Sequence, residues 1–192
     1  MIRPNWIDLL MVGFLVTFVY FNRKNGVIYE GFQLLGTYLA TLITIHYYVA
    51  FADYARKEFF VPPSVNEIFA FIIIALLITL IFSVIRIGWF KILAVEIPVR
   101  VDQWGGIFLS LIRSYLVGSL VVLAIIISGN NIVSQYAKVS WSRDLMAIPT
   151  INLYKSSYEG FITKVSNQEK INEKIFKLVG LDQEAPSETT PF

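Results

Sequence analysis

The sequence has 192 residues, of which 56% are hydrophobic and only 16% charged, with a formal net charge of +2 and no cysteine. A water-soluble domain carries about 25% charged residues, so the composition points to lipid as the solvent. The small net charge gives no reason to expect a nucleic-acid partner. The absence of cysteine excludes disulfides, thiolate metal sites and cysteine nucleophiles.

The first predicted element runs over residues 6–22. Arg3 precedes an apolar stretch, as in a signal peptide, but Phe21, Asn22, Arg23, Lys24 and Asn25 follow where small residues of a cleavage site belong. The segment therefore reads as a retained helix, with Asp8 near one interface. A second span covers 27–52, with no full charge between Glu30 and Asp53. Pro62 and Pro63 end the connection after it, and Asn66 is placed to cap a third span, 67–89. That span is apolar on every face from Ile68 to Ile85, whereas a helix of a soluble protein shows a polar stripe. A fourth span covers 105–128, and Arg113 is the single charge between Gln103 and Ala137. About 20 apolar residues cross a bilayer. The expected fold class is thus all-α, a polytopic membrane protein with a four-helix module over residues 1–150. Trp6, Tyr20, Tyr47, Tyr48, Trp89 and Trp104 lie at the span ends, the depth that amphipathic aromatics favour.

The connection Gly88 to Arg100 mixes apolar and charged residues and suits an interfacial position. Residues 151–181 carry Tyr154, Tyr158, Phe161, Val165, Ile175 and Leu178 among lysines and glutamates, an amphipathic helical pattern. This segment lies on the membrane surface, packs on a partner chain, or folds back on the protein's own loops. Residues 182–192 are polar and acidic, with Pro186 and Pro191, a composition that predicts disorder.

Four spans put both termini on one side. Arg3, Arg56, Lys57, Lys138 and Arg143 face Arg23, Lys24, Arg86, Lys91 and Arg100, so the total count of cations does not orient the chain. The flanks of the first helix do: Arg23 and Lys24 outweigh Arg3, which places the termini outside the cytoplasm.

Asp8, Glu30, His46, Arg86 and Arg113 are the ionisable groups within or near the hydrocarbon zone. Such groups are costly in lipid and face protein or a water-filled cavity. Glu30 and Arg113 lie toward one membrane face and can pair, with Arg86 competing; Asp8 and His46 lie toward the other and can share a hydrogen bond. These groups lock helix register or line an ion path, and their positions near helix ends favour the first reading. Small residues recur at Gly36, Ala40 and Thr44, and again at Ser110, Ser114 and Gly118. Such stripes let helices approach closely, which predicts a tight contact between spans two and four or between copies of the chain. Glycine-rich nucleotide loops and hydrolase or zincin motifs are absent. One histidine without cysteine cannot form a familiar zinc site. No catalytic residue, metal or cofactor is expected, and the expected partners are membrane lipid and membrane proteins, further copies included.

Short motifs then carry a resemblance. Trp6-Ile7-Asp8 opens the first span, Gly26-Val27-Ile28-Tyr29-Glu30 enters the second, His46-Tyr47-Tyr48 lies near its end, Asp102, Gly106, Ser110, Arg113 and Ser114 open the fourth, and Trp141-Ser142 to Pro149 follows it. From about Asn5 to Pro149 the chain resembles the colicin V production protein family, small bacterial inner-membrane proteins. Tyr29 stands where that pattern has arginine, Gln103 replaces a second arginine, and Ser110 and Ser114 replace glycines. The resemblance implies four spans, the inner membrane, and an accessory or assembly role in toxin production, secretion or the envelope. In relatives the module can precede a protease domain outside the cytoplasm, which agrees with an external C-terminus. A small channel or transporter subunit, with a polar path through Glu30, His46 and Arg113, is the competing reading.

Overall fold

In the computed structural model the described residues are 5–59, 63–90, 98–128, 131–162 and 171–181. They form an all-α bundle of the polytopic membrane type. Helix α1 spans Trp6–Asn22. Its start is closed by a capping box: the Asn5 side chain accepts the Ile7 N–H, and Asp8 Oδ2 accepts the Asn5 N–H at 2.9 Å. At 17 residues it is about 25 Å long, the shortest of the four apolar helices. Helices α2 (Val27–Phe59), α3 (Pro63–Phe90) and α4 (Val99–Ile127) are each long and apolar enough to cross a membrane. The expected interfacial connection after α3 falls largely on residues 91–97, outside the described residues.

Helix α2 packs along α3 and α4, and α1 packs on α4. The apolar stretch of α4 is 56% buried and that of α3 only 11%. Helix α4 is therefore the hub, and α3 turns most of its surface to lipid. The reason is written on α4: Gly106, Ser110, Ser114, Gly118, Val122 and Ile126, each four residues from the next, are all buried. That stripe lets three elements approach one helix.

Helix α2 reaches past residue 52 to Phe59. With 33 residues, about 50 Å, it outruns the hydrocarbon core, and Asp53, Arg56, Lys57 and Glu58 are exposed on its last turns. The third helix begins at Pro63, so Asn66 lies inside it rather than at the cap. Asn66 is buried, and its amide donates to the Ala52 carbonyl of α2.

After α4 the chain turns back on the bundle. It forms α5 (Asn131–Lys138), a π-helical turn (Arg143–Ala147), α6 (Ile148–Ser157), a second π-helical turn (Tyr158–Ile162) and α7 (Glu173–Val179), the last closed by Gly180 at φ +82°. Of the three settings open to the amphipathic segment, the chain adopts the folded-back one, and against its own helices rather than its loops. Tyr154, Tyr158, Ile175 and Val179 are buried, and α6 contacts α2. Proline explains part of this docking. Pro149 has no N–H to give the Leu145 carbonyl four residues earlier, and that carbonyl accepts the Tyr115 hydroxyl of α4 instead. Ser119 of α4 donates to the next carbonyl, Met146, at 3.0 Å and receives the Thr150 hydroxyl at 2.8 Å. The segment expected to be disordered, 182–192, lies outside the described residues.

Aromatic side chains ring the ends of the bundle. Tyr20 and Trp104 are exposed at one end, and Trp6, Tyr47, Tyr54, Tyr136 and Trp141 at the other. Tyr48 does not join them. It is fully buried with its ring edge-on to Phe71 of α3, because a one-residue step from Tyr47 turns it through about 100°.

Candidate functional site

Two polar clusters hold the bundle, one at each end. The first gathers where the α1–α2 connection meets the start of α4. Asp102, in the first turn of α4, accepts the Val27 N–H with Oδ1 at 2.7 Å, so the orphan donors at the start of α2 are capped by another helix. This contact demands small neighbours. A Cβ on Gly26 would overlap the Asp102 carboxylate, one on Gly106 would overlap the Asn25 carbonyl, and one on Gly105 would press on Val27.

One turn deeper, Glu30 is completely buried. Its Oε2 receives Arg113 Nη1 at 2.9 Å and its Oε1 receives Asn25 Nδ2 at 2.6 Å. The Arg113 guanidinium lies 4.9 Å from the Phe18 ring centre. One ion pair thus joins α1, α2 and α4. Arg86 takes no part: it stacks 4.3 Å over the Tyr29 ring, since both Glu30 oxygens are engaged elsewhere.

The second cluster ties the returning chain to α1. Asp8 Oδ1 accepts both the Ser142 N–H at 2.7 Å and the Ser142 hydroxyl at 2.6 Å. Asn5 Nδ2 donates to the Tyr136 carbonyl at 2.8 Å, and Trp6 meets the Tyr136 ring edge-on. The carboxylate therefore serves its own helix start and a loop more than a hundred residues away.

The expected bond between Asp8 and His46 does not form. The imidazole belongs to a third group: His46 Nδ1 lies 2.8 Å from the Tyr154 hydroxyl, and its ring stacks with Tyr158 at 5.7 Å. Asn172 bonds the same hydroxyl at 3.3 Å and the Ile45 carbonyl at 2.6 Å. Sequence reasoning missed this relay because Tyr154 and Asn172 lie beyond the last span. Ser142 was visible as part of a motif, but its role as partner of Asp8 was not.

The small-residue stripes are internal, and α2 packs on α4 as expected, but the glycine of each stripe meets another element. Gly36 faces α3, where its Cβ would come within 2.7 Å of Phe82. Gly118 faces Met146 of the returning segment and Leu15 of α1. Ala40, Thr44, Ser110 and Ser114 are buried. Ser114 donates to the Leu111 carbonyl of its own helix, whereas the hydroxyls of Thr44 and Ser110 have no hydrogen-bond partner among the described residues.

Among the described residues no group of three or more histidine, aspartate or glutamate side chains could hold a metal ion. The family follows from a direct match. The model of the colicin V production protein covers residues 7–165. The chain belongs to the colicin V production protein family. No curated protein and no solved structure matches it. The matched region contains the first cluster and, apart from Asn5 and Trp6, the second. Among the residues that carried the resemblance in this colicin V production family member, Asp8, Gly26, Glu30, Asp102, Gly106 and Arg113 lie at contacts between separate segments.

Proposed function

We propose that this colicin V production family protein is a non-enzymatic accessory or assembly factor of the bacterial inner membrane, acting with other membrane proteins in toxin production, secretion or envelope function. In this reading all four apolar helices cross the bilayer and both termini lie outside the cytoplasm. The observation that carries the reading is the use made of four of the five intramembrane ionisable groups. Glu30 and Arg113 neutralise each other, Asp8 holds Ser142, and His46 holds Tyr154. Their bonding capacity goes into one rigid arrangement of helices, which suits a scaffold that presents a fixed surface to partners. The family description, colicin V production, supports reading that role as one in toxin production.

The test is recovery of native complexes from membranes with an affinity tag at the C-terminus. Reproducible, stoichiometric retention of a second membrane protein, lost when Asp8→Ala unlocks the returning segment, supports the assembly reading. Recovery of this chain alone counts against it.

A channel or transporter subunit is the second reading. It is favoured by the fully buried hydroxyls of Thr44 and Ser110 on α2 and α4, which have no hydrogen-bond partner among the described residues. Reconstituted protein should then pass ions or solute, and Arg113→Ala should change that flux. A tight bilayer under every imposed gradient counts against it.

A further inference from the structure

Of the five intramembrane ionisable groups, Arg86 is the one that neither the two clusters nor the His46–Tyr154 group uses. It lies on α3, which runs antiparallel to α2; Phe82 packs on Gly36, so Arg86, one turn further on, comes level with Tyr29. Tyr29 is close to the start of α2, and Asp102 ties that start to the start of α4, where Trp104 is 74% exposed. Trp104 and the exposed Tyr20 mark headgroup depth. The guanidinium therefore sits at the boundary between hydrocarbon and headgroups, in the groove between α2 and the lipid-facing α3.

Its environment is unbalanced in two ways. Stacking on Tyr29 holds the planar group, and Nη1 is buried with no hydrogen-bond partner among the described residues, so a phosphate meets the guanidinium at its other two nitrogens. A buried donor left unmade is costly, and far more so on a charged group. The acids at this end are also engaged: Glu30 with Arg113 and Asn25, Asp102 with the start of α2. Arg23, Lys24 and Arg100 are exposed at the same end. Among the described residues this end therefore carries an excess of cations, with one preoriented fork at phosphate depth. Guanidinium groups bind phosphate through paired, charge-assisted hydrogen bonds, and basic pockets between membrane helices bind acidic headgroups.

We infer that Arg86, braced on Tyr29, forms a binding site for the phosphate of an anionic phospholipid in the groove between α2 and α3. The acyl chains of that lipid lie along Leu76 and Ile72, which are exposed on the same side of α3 as Arg86.

The test is native mass spectrometry of the full chain in neutral detergent, titrated with phosphatidylglycerol or phosphatidylcholine. Wild type should retain phosphatidylglycerol in preference to phosphatidylcholine. Arg86→Gln should weaken that retention by about tenfold or more, the size expected for a charged hydrogen bond. Arg86→Lys, which keeps the charge without the fork, should fall between, and Arg100→Gln should bind as wild type. A melting temperature of Arg86→Lys equal to wild type separates lost binding from lost folding. Equal retention by wild type and Arg86→Gln, or an equal drop in Arg100→Gln, overturns the site in favour of diffuse attraction. Full displacement of the lipid by millimolar inorganic phosphate overturns the lipid assignment and leaves a small-anion site.

Discussion

Asp102 Oδ1 accepts the backbone N–H of Val27 across 75 residues of sequence, so the first turn of α4 caps the first turn of α2. A side-chain cap is worth about 1 kcal/mol, and asparagine caps nearly as well as aspartate. Asp102→Ala should lower stability by about that amount, and Asp102→Asn should stay close to wild type. Unfolding titrations in mixed micelles compare the two. Equal loss in both variants would show that the charge, rather than the cap, is what matters.

The same junction makes Gly106 intolerant. Its missing Cβ leaves room for the Asn25 carbonyl, which is backbone and cannot swing aside. Gly106→Ala should therefore separate α4 from the α1–α2 connection and cost several kcal/mol, in the upper range of overpacking effects. Gly13, with nothing within 4 Å of its would-be Cβ, is the control: Gly13→Ala should be neutral or stabilise by up to about 1 kcal/mol. Melting temperatures in detergent should rank Gly13→Ala at or above wild type and Gly106→Ala far below.

Breaking the Glu30–Arg113 pair from one side strands a charge in a dry interior. Glu30→Gln alone or Arg113→Met alone should each cost about 3–5 kcal/mol, and the double variant should cost less than the sum of the two. A double-mutant cycle by reversible unfolding reads the coupling. Additive losses would mean that the two side chains do not depend on each other.

Asp8 holds Ser142 by two hydrogen bonds and Asn5 by a third. Asp8→Ala should free the returning segment while leaving α1 formed, because its length and apolar faces are unchanged. The cysteine-free background makes this visible. Ser140 is 1% exposed, so Ser140→Cys should resist a polar maleimide in otherwise wild-type protein and react at least tenfold faster with Asp8→Ala present, the change expected when about 1.4 kcal/mol of opening cost is removed. Unchanged labelling would mean that other contacts hold the segment.

The notion that Gly36 and Gly118 mark an association face gives way on their contacts. Gly36→Leu meets Phe82 of the same chain and Gly118→Leu meets Met146. Both substitutions should loosen the monomer before they report on any partner.

Much of this was legible in residues alone. A stretch such as Ile68 to Ile85 has no polar face to offer water, whatever it packs against, so its place in lipid follows from composition. Glu30 and Arg113 were legible as a pair because two parallel helices put them at nearby depths. The rotation of each helix about its axis was not legible. Gly36 could face α3 or α4, and Tyr48 could face lipid or protein, since an all-round apolar helix carries no polar stripe to set its azimuth.

Amino-acid order by itself determined that four apolar helices form and which few charges must find partners, because hydrogen-bonding demand in lipid is a local property of the chain; the ends were less legible, α2 running seven residues past its expected stop and α4 beginning six before its expected start. Only the tertiary structure decided the partners: Ser142 for Asp8, Tyr154 for His46, Tyr29 for Arg86. It also decided that residues 131–162 and 171–181 fold back on the bundle, with Tyr115 taking the carbonyl that Pro149 leaves open. Those choices depend on helix rotation and on contacts between 30 and 134 residues apart, which no local pattern encodes.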